Sequence, residues 1–482
     1  MPSTTVVESP RAIPESAQLR AELRGPVLTP EHAEYDEVRK LYNAMINKRP
    51  AIIARCRDAG DVITAIRFGV AQNLDIAVRG GGHNGGGLGS VDNGLLIDLS
   101  LMRSVRVDPK DRTAEAAGGC QLGDLDHAAG AFGLATPGGI ISTTGIGGLT
   151  LGGGLGHLTR KFGLTIDNLL AVDVVLPDGS FVTADADHHP DLFWAVRGGG
   201  GNFGVVTSFR FRLHPVGTVI AGPTFWPLDQ AKEVLEWYRD FLPTAPEELN
   251  GFFGFLTVPP APPFPEAIRL QKVAAVVWCS LAAPKETERL LAPVHRVGTP
   301  CLHAISPMPY PTLNSLFDGL YPPGHQWYWR ADFFRTLTDP AIQEHLRHSR
   351  ELPTPQSTMH LYPVDGAASR VGRRDTPWAY RDAKWAEVIV GVDPDPRNAR
   401  RLRDWTVGYW EALHPFSMGG AYVNFMMDEG QERVQATYGE NYDRLVALKQ
   451  RFDPANRLHV NQNLRPAGAE ARSAGRPSAT KG

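Results

Sequence analysis

The chain has 482 residues, too many for one ordinary domain, and its 42% hydrophobic content suits a packed globular protein. A formal charge of −3, from 49 basic and 52 acidic residues, gives no field for nucleic acid, and no apolar run approaches the ~20 residues that span a bilayer. The start, MPSTTVVESPRAIPESAQ, lacks the basic beginning and apolar middle of a secretory signal, and the four cysteines (Cys56, Cys120, Cys279, Cys301) form no CxxC pair. A cytoplasmic protein with reduced thiols is expected, without a disulfide frame, a metal site, a nucleic-acid partner or a membrane partner.

In chain order, residues 1 to about 18 are rich in Ser, Thr and Pro and read as loose, and 17–23 read as a short helix broken by Gly25-Pro26. A short buried strand at 50–54 precedes a helix capped by Asp61, whose Val62, Ile63, Ile66, Val70 and Leu74 repeat at helical spacing. Strands follow at 76–78, 94–98 and 113–117, with a helix over 121–132. The strand at 171–176 meets the turn Pro177-Asp178-Gly179 and an answering strand at 180–183, which is a hairpin signature. Another strand covers 204–211. Beyond about 219 glycine thins out, and strands at 274–280 and 387–392 alternate with helices at 228–241, 285–297, 341–352 and 397–413. This second layer is the expected place for a substrate. The aromatic run from Tyr321 to Trp329 either lines a pocket or packs a core, and the reading favours core.

Two glycine-rich stretches carry the chemical signal. In Arg79-Gly80-Gly81-Gly82-His83-Asn84, three glycines strip side chains from a place where something bulky must approach the backbone, and His83 is the one group there able to do covalent or acid-base work. The run from Gly145 to Gly156 lacks the preceding parallel strand of a Rossmann fingerprint, and its glycines look too dense for a helix N-terminus. It reads as a coiled loop whose bare N–H groups cradle a pyrophosphate. A glycine hinge without ligand and an NAD-linked Rossmann dehydrogenase are the competing readings.

The motifs RGGGHNGGG, GIGGLTLGGGLGHLTRKFGL, VLPDGS, PDLFWAVRGGGGNFGVVTSF and FDPANRLHVNQNLRP occur in this order. With them the chain resembles the FAD-linked oxidases that carry a p-cresol-methylhydroxylase-type flavin domain, in the berberine-bridge-enzyme-like branch, strongly over 45–217 and clearly over 420–466. The resemblance implies an α+β fold: a two-part flavin-binding domain and an intervening substrate domain built on an antiparallel sheet flanked by helices. The expected boundaries are a 1–44 N-terminal extension, a 45–217 FAD-binding domain, a 218–415 substrate domain, a 416–466 segment returning to the flavin domain, and a disordered tail at 467–482.

Carried over position by position, the resemblance implies that His83 attaches through a ring nitrogen to the 8α-methyl group of FAD. Such a bond withdraws electron density, raises the flavin's potential and prevents its loss. Arg79, Gly80, Gly81, Gly82 and Asn84 match the loop around the pyrophosphate and that linkage. Thr143, Gly145, Gly148, Gly152, Gly153, Gly154 and Gly156 match the second cradle. Val206 matches a position whose backbone meets the adenine end, and Asn461 and Asn463 match the closing C-terminal segment. Many relatives add a cysteinyl bond, but the matching residue here is Ile141 and Cys120 lies in another motif, so a single covalent attachment is expected. Leu149 stands where relatives often have histidine.

Tyr422, in Ala421-Tyr422-Val423-Asn424-Phe425, matches the family tyrosine that reaches over the flavin, and either accepts the substrate proton or only positions substrate. Asn424 reads as structural, Tyr438 as packing, and His127, His157, His188 and His189 as surface or packing residues. The implied activity is an oxidase that takes hydride from an alcohol or amine carbon of a sugar or secondary metabolite and passes electrons to oxygen, giving hydrogen peroxide. A dehydrogenase with another acceptor and a non-catalytic flavin-binding protein share these features.

Overall fold

The computed structural model describes residues 16–466. The loose start and disordered tail read from composition fall largely on 1–15 and 467–482, outside the described residues. A short helix does form at Ser16–Glu22. The fold is mixed α+β, with three main sheets.

In the first sheet Ile52–Arg55 and Ile76–Arg79 flank Leu95–Asp98 in parallel, placing Arg55 and Arg79 opposite Asp98. Val27–Leu28 closes the edge antiparallel to Ile52–Arg55. The helix Ala59–Ala71 buries Val62, Ala65 and Ile66 against this sheet. Its cap is Asp58, whose carboxylate accepts from the Asp61 N–H at 3.0 Å, and not Asp61 as the sequence suggested. Asp61 is buried in the first turn because it accepts the N–H groups of Arg24 (2.8 Å) and Gly25 (3.1 Å), which pins the incoming chain to the helix.

The second sheet is antiparallel, in the order Val105–Asp108, Thr113–Ala117, Val205–Arg212, Leu169–Val175, Phe181–Asp185. The hairpin at 177–179 forms as its turn signal requires: Gly179 takes φ 80° and the Asp178 carboxylate accepts the Ser180 N–H at 2.8 Å. The second glycine run departs from the coiled reading. Ile146–Gly152 is an α-helix, anchored by buried Ile146 and Leu149. Its glycines let that helix slide under Gly118 and against Asn424, contacts that a Cβ on Gly147 or Gly152 would obstruct. Tertiary packing here overrides glycine's poor helix propensity of about 1 kcal/mol per residue.

The third sheet has eight antiparallel strands, including Thr218–Pro227, Leu249–Thr257, Lys272–Ser280, Gln326–Phe334, Thr358–Pro363 and Trp385–Asp393. Alternation gives it two lives. Phe253, Phe255, Met359, Leu361 and Ile389 join Trp226, Trp278 and Trp385 beneath the helices Ala231–Phe241, Asp339–Ser349 and Ala399–Leu413. Phe252, Tyr362, Val388, Val390 and Trp327 point the other way, toward the glycine loops. Among the described residues no helix is long and apolar enough to cross a membrane.

One buried cation helps tie the C-terminal segment to the glycine-rich half. Lys449, fully buried in the helix Tyr442–Phe452, donates to the Asn202 carbonyl (2.8 Å), the Leu458 carbonyl (2.8 Å) and the Asp453 carboxylate (2.6 Å). Lys449→Met removes three partners at once and strands the Asp453 charge, and such broken buried pairs cost about 3–5 kcal/mol. Denaturant unfolding of the purified variant should show that loss, with the C-terminal segment the first part to become protease-sensitive.

Candidate active site

Two loops meet backbone to backbone at the edge of the first sheet. A Cβ on Gly81 would lie 2.6 Å from the Gly145 Cα, and one on Gly145 would lie 2.7 Å from the Gly81 Cα. Gly82 adds φ 71°, a left-handed conformation that turns the chain toward His83. Two residues along each loop, the His83 Nε2 and Thr143 Oγ1 sit 3.1 Å apart. Tyr42 stacks on the His83 ring, with centroids 3.9 Å apart and planes at 23°. Burial in these surroundings pushes the His83 imidazole down to about 4, so it is neutral at physiological pH.

His83 opens onto a cavity of about 370 Å³ between the glycine loops and the third sheet. Of the residues singled out from the sequence, Arg79, Gly80, Gly81, Gly82, His83, Asn84, Gly145, Gly148, Gly152, Val206, Asn461 and Tyr422 line it. Thr143 stands behind His83 as its hydrogen-bond partner. Gly153, Gly154, Gly156 and Asn463 lie off the wall. Gly153 faces Trp378, Gly154 takes φ 78° against Thr165, and Gly156 packs on the Gly138 and Gly139 backbone, so close packing accounts for all three. Asn463 keeps a buried Oδ1 with no partner among the described residues. Arg79 lends the wall little free charge: its guanidinium pairs with Asp98 at 2.8 Å and donates to the Val38 carbonyl at 2.6 Å.

Tyr422 is buried, and its hydroxyl accepts from the Gly154 N–H (3.0 Å) and the Asn424 side-chain amide (2.6 Å). Asn424 also donates to the Leu149 carbonyl at 3.0 Å, so it ties the tyrosine to the glycine helix. Burial pushes the Tyr422 phenol up to about 12 despite these two donors. At neutral pH roughly one molecule in 10⁵ would then carry the phenolate.

Other residues at the wall had either no sequence reading or one of packing alone. Tyr42 and Asn43 come from the stretch taken as an N-terminal extension, and the Asn43 amide bridges the Gly85 and Trp327 carbonyls at 2.8 and 2.9 Å. Trp327, Trp329 and Tyr321 line the cavity as well as packing the core, and Tyr438 lines it with a buried hydroxyl that has no partner among the described residues. From the sheet come Thr358, His360 and Tyr362, whose period-two spacing was the available signal. Ile141 is on the wall and Cys120 is not; the Cys120 thiol is held by the Ser104 carbonyl at 3.3 Å. His127, His188 and His189 are exposed, whereas His157 is buried beside Phe252. Among the described residues no cluster of His, Cys, Asp or Glu is placed to hold a metal.

Two glycine loops, a desolvated histidine and aromatic wall residues frame the cavity, and the relatives of the chain identify its class as flavoprotein oxidoreductase. One family profile, described as FAD binding domain, matches residues 50–185, and a second, described as Berberine and berberine like, matches 421–465. The chain is 31% identical over 450 residues to an FAD-linked oxidoreductase of Dictyostelium discoideum, covering 92% of this chain and 95% of that one. It is 29% identical over 466 residues to (R)-6-hydroxynicotine oxidase of Paenarthrobacter nicotinovorans, covering 93% and 98%. The crystal structure of 6-hydroxy-D-nicotine oxidase from Arthrobacter nicotinovorans superposes with a TM-score of 0.82 at 26% identity, over 92% of this chain and 98% of that one. The chain belongs to the berberine-bridge-enzyme-like family of FAD-linked oxidoreductases, with a p-cresol-methylhydroxylase-type FAD-binding domain, and is an FAD-dependent oxidoreductase.

The wall fits FAD on grounds internal to the structure. Gly148 and Gly201 line the cavity, and a Cβ on either would meet no protein atom within 4 Å. Packing therefore does not require these two glycines, whereas a ligand lying flat on the backbone does. Gly147 and Gly148 sit in the first turn of the Ile146–Gly152 helix, where N–H groups have no intrahelical acceptor. Tyr422→Phe leaves the buried Gly154 N–H without its acceptor and should lower stability by about 1–3 kcal/mol. A calorimetric comparison with wild type checks this, and an unchanged melting point would remove Tyr422 from the scaffold of the site.

Proposed function

We propose that the protein oxidises a small, neutral, largely apolar alcohol or amine with FAD held by one covalent bond to His83 and reoxidised by dioxygen. The observation that carries this reading is the neutral, Tyr42-stacked His83 facing a cavity whose wall, among the described residues, has no carboxylate and no lysine. Thr143 occupies Nε2, and Nδ1 makes no hydrogen bond to the described residues, so Nδ1 is the nitrogen left open for attachment. Ile141 in place of a thiol on the wall supports a single bond.

The backbones of 80–82, 145–148 and 200–201, with Val206 and Asn461, would hold the cofactor, with the Tyr438 hydroxyl and the Asn461 Oδ1 as unspent hydrogen-bonding groups. FAD supplies the ring that accepts hydride, while the protein supplies position, dryness and electrostatics. The aromatic and aliphatic side chains of the sheet exclude water and favour a flat, apolar substrate over a free sugar, which needs many convergent polar groups. Residues 45–217 and 416–466 form the flavin unit in this reading, 218–415 the substrate unit, and Tyr42 and Asn43 extend the flavin unit toward the N-terminus.

Acid precipitation separates tethered from free flavin. Wild type should keep yellow fluorescence on the denatured chain, and His83→Ala should release all of it. Aerobic turnover should then yield peroxide in step with substrate consumed; substrate-dependent bleaching that air does not reverse would instead identify a dehydrogenase.

A further inference from the structure

The described wall of the cavity has only one histidine besides His83, and it comes from the substrate sheet. His360 lies at the middle of Thr358–Pro363, between Thr358 and Tyr362 on the cavity face. Its Nδ1 is 2.8 Å from the Tyr362 hydroxyl, and its Nε2 makes no hydrogen bond to the described residues. Gly254 on the neighbouring strand makes room for the ring, since a Cβ there would stand 2.9 Å from the His360 Cδ2. Phe252, two residues along that same strand, stands 5.2 Å from the His360 ring between centroids, and Val388 is the register partner on the far strand.

Resting on the flavin reading above, we propose that the His360–Tyr362 pair binds the hydroxyl of a neutral aromatic or allylic alcohol and that His360 Nε2 accepts its proton during oxidation. With Nδ1–H donating to the Tyr362 oxygen, Nε2 presents a lone pair to the cavity. The substrate O–H proton passes to Nε2, the carbinol C–H bond breaks with its electron pair going to the flavin, and the C–O bond becomes a carbonyl. The substrate thus loses two electrons and two hydrogens: the hydroxyl proton to His360 Nε2, and the carbinol hydrogen with its electron pair as the hydride that bound FAD would accept. Tyr362 oxygen then stabilises the imidazolium, which returns its proton to solvent.

Competing groups fail this role on geometry. Tyr422 receives two N–H donors and has no carboxylate or histidine to take its proton. His83 is committed to Thr143 and the cofactor side. The titratable groups around His360 are Tyr362 on its own strand, Tyr321 and Tyr422 in the same cavity, and His157 behind Phe252. No charged side chain shifts it; burial alone lowers it to about 4, so it is unprotonated throughout the neutral range. The lack of a wall carboxylate also disfavours a cationic amine, which would be buried unpaired.

Phenol, an unreactive hydroxyl probe, and cinnamyl alcohol, a reactive one, test the pair in the yellow holoenzyme. Phenol should perturb the flavin spectrum of wild type, and cinnamyl alcohol should bleach it anaerobically. His360→Gln keeps an acceptor without the basicity, so phenol affinity should hold while bleaching slows about 100-fold, as expected for a lost general base. His360→Leu should lose both, and Tyr362→Phe should slow bleaching to a lesser degree. Wild-type bleaching should fall as pH drops through about 4, a dependence absent from His360→Gln. Failure of phenol to bind, failure of cinnamyl alcohol to bleach wild type, or His360→Leu behaving like wild type would overturn the assignment. A protein without flavin would refute the underlying reading as well, whereas a yellow protein indifferent to His360 substitution refutes only the pair.

Discussion

The site depends on a close approach between two stretches of bare backbone. Gly81 and Gly145 each occupy the space where the other's Cβ would be, so both must be glycine for the loops to touch. That contact sets a register: Thr143 and His83, two residues away on either loop, fall within hydrogen-bonding distance. The bridge between Gln121 and Gly145 and the Cys120 carbonyl bonded to the Ile146 N–H fasten the second loop to its sheet, while Arg79 and Asp98 fasten the first. Histidine position is therefore set by main chain on both sides.

The opposite wall follows from strand alternation. One face of the eight-stranded sheet is sealed by tryptophans under three helices, which leaves the other face free to vary without disturbing the core. On that free face Thr358, His360 and Tyr362 alternate with Met359 and Leu361, and the cavity receives the first set while the core receives the second. A one-residue slip would exchange them and bury the histidine under the helices. Asn43 helps hold the two walls together, because its side chain spans the His83 loop at Gly85 and the sheet at Trp327.

The stretch around His83 stood out because three consecutive glycines before a histidine have few explanations, and the ordered family motifs removed most of the rest. The helix at 146–152 was not, since glycine propensity argues against it and the forces that impose it, burial of Ile146 and Leu149 and close approach to Asn424, come from distant parts of the chain. Tyr42 was invisible for the same reason: nothing local distinguishes it from any surface tyrosine. The Asp58 cap was missed because Asp61, the better-placed candidate by spacing, is occupied by the N-H groups of Arg24 and Gly25. His360 and Tyr362 carried a readable period-two pattern, but a pattern alone does not say which face meets a cofactor.

That backbone, and not side chain, receives the flavin is tested most directly at Gly148 and Gly201, where the folded protein has room for a methyl group but a bound ligand should not. The ratio of flavin to protein absorbance should fall sharply in Gly148→Ala and Gly201→Ala, while the melting point of flavin-free Gly148→Ala stays level or rises, since alanine favours the helix by about 1 kcal/mol. Full flavin occupancy in both variants would contradict the account.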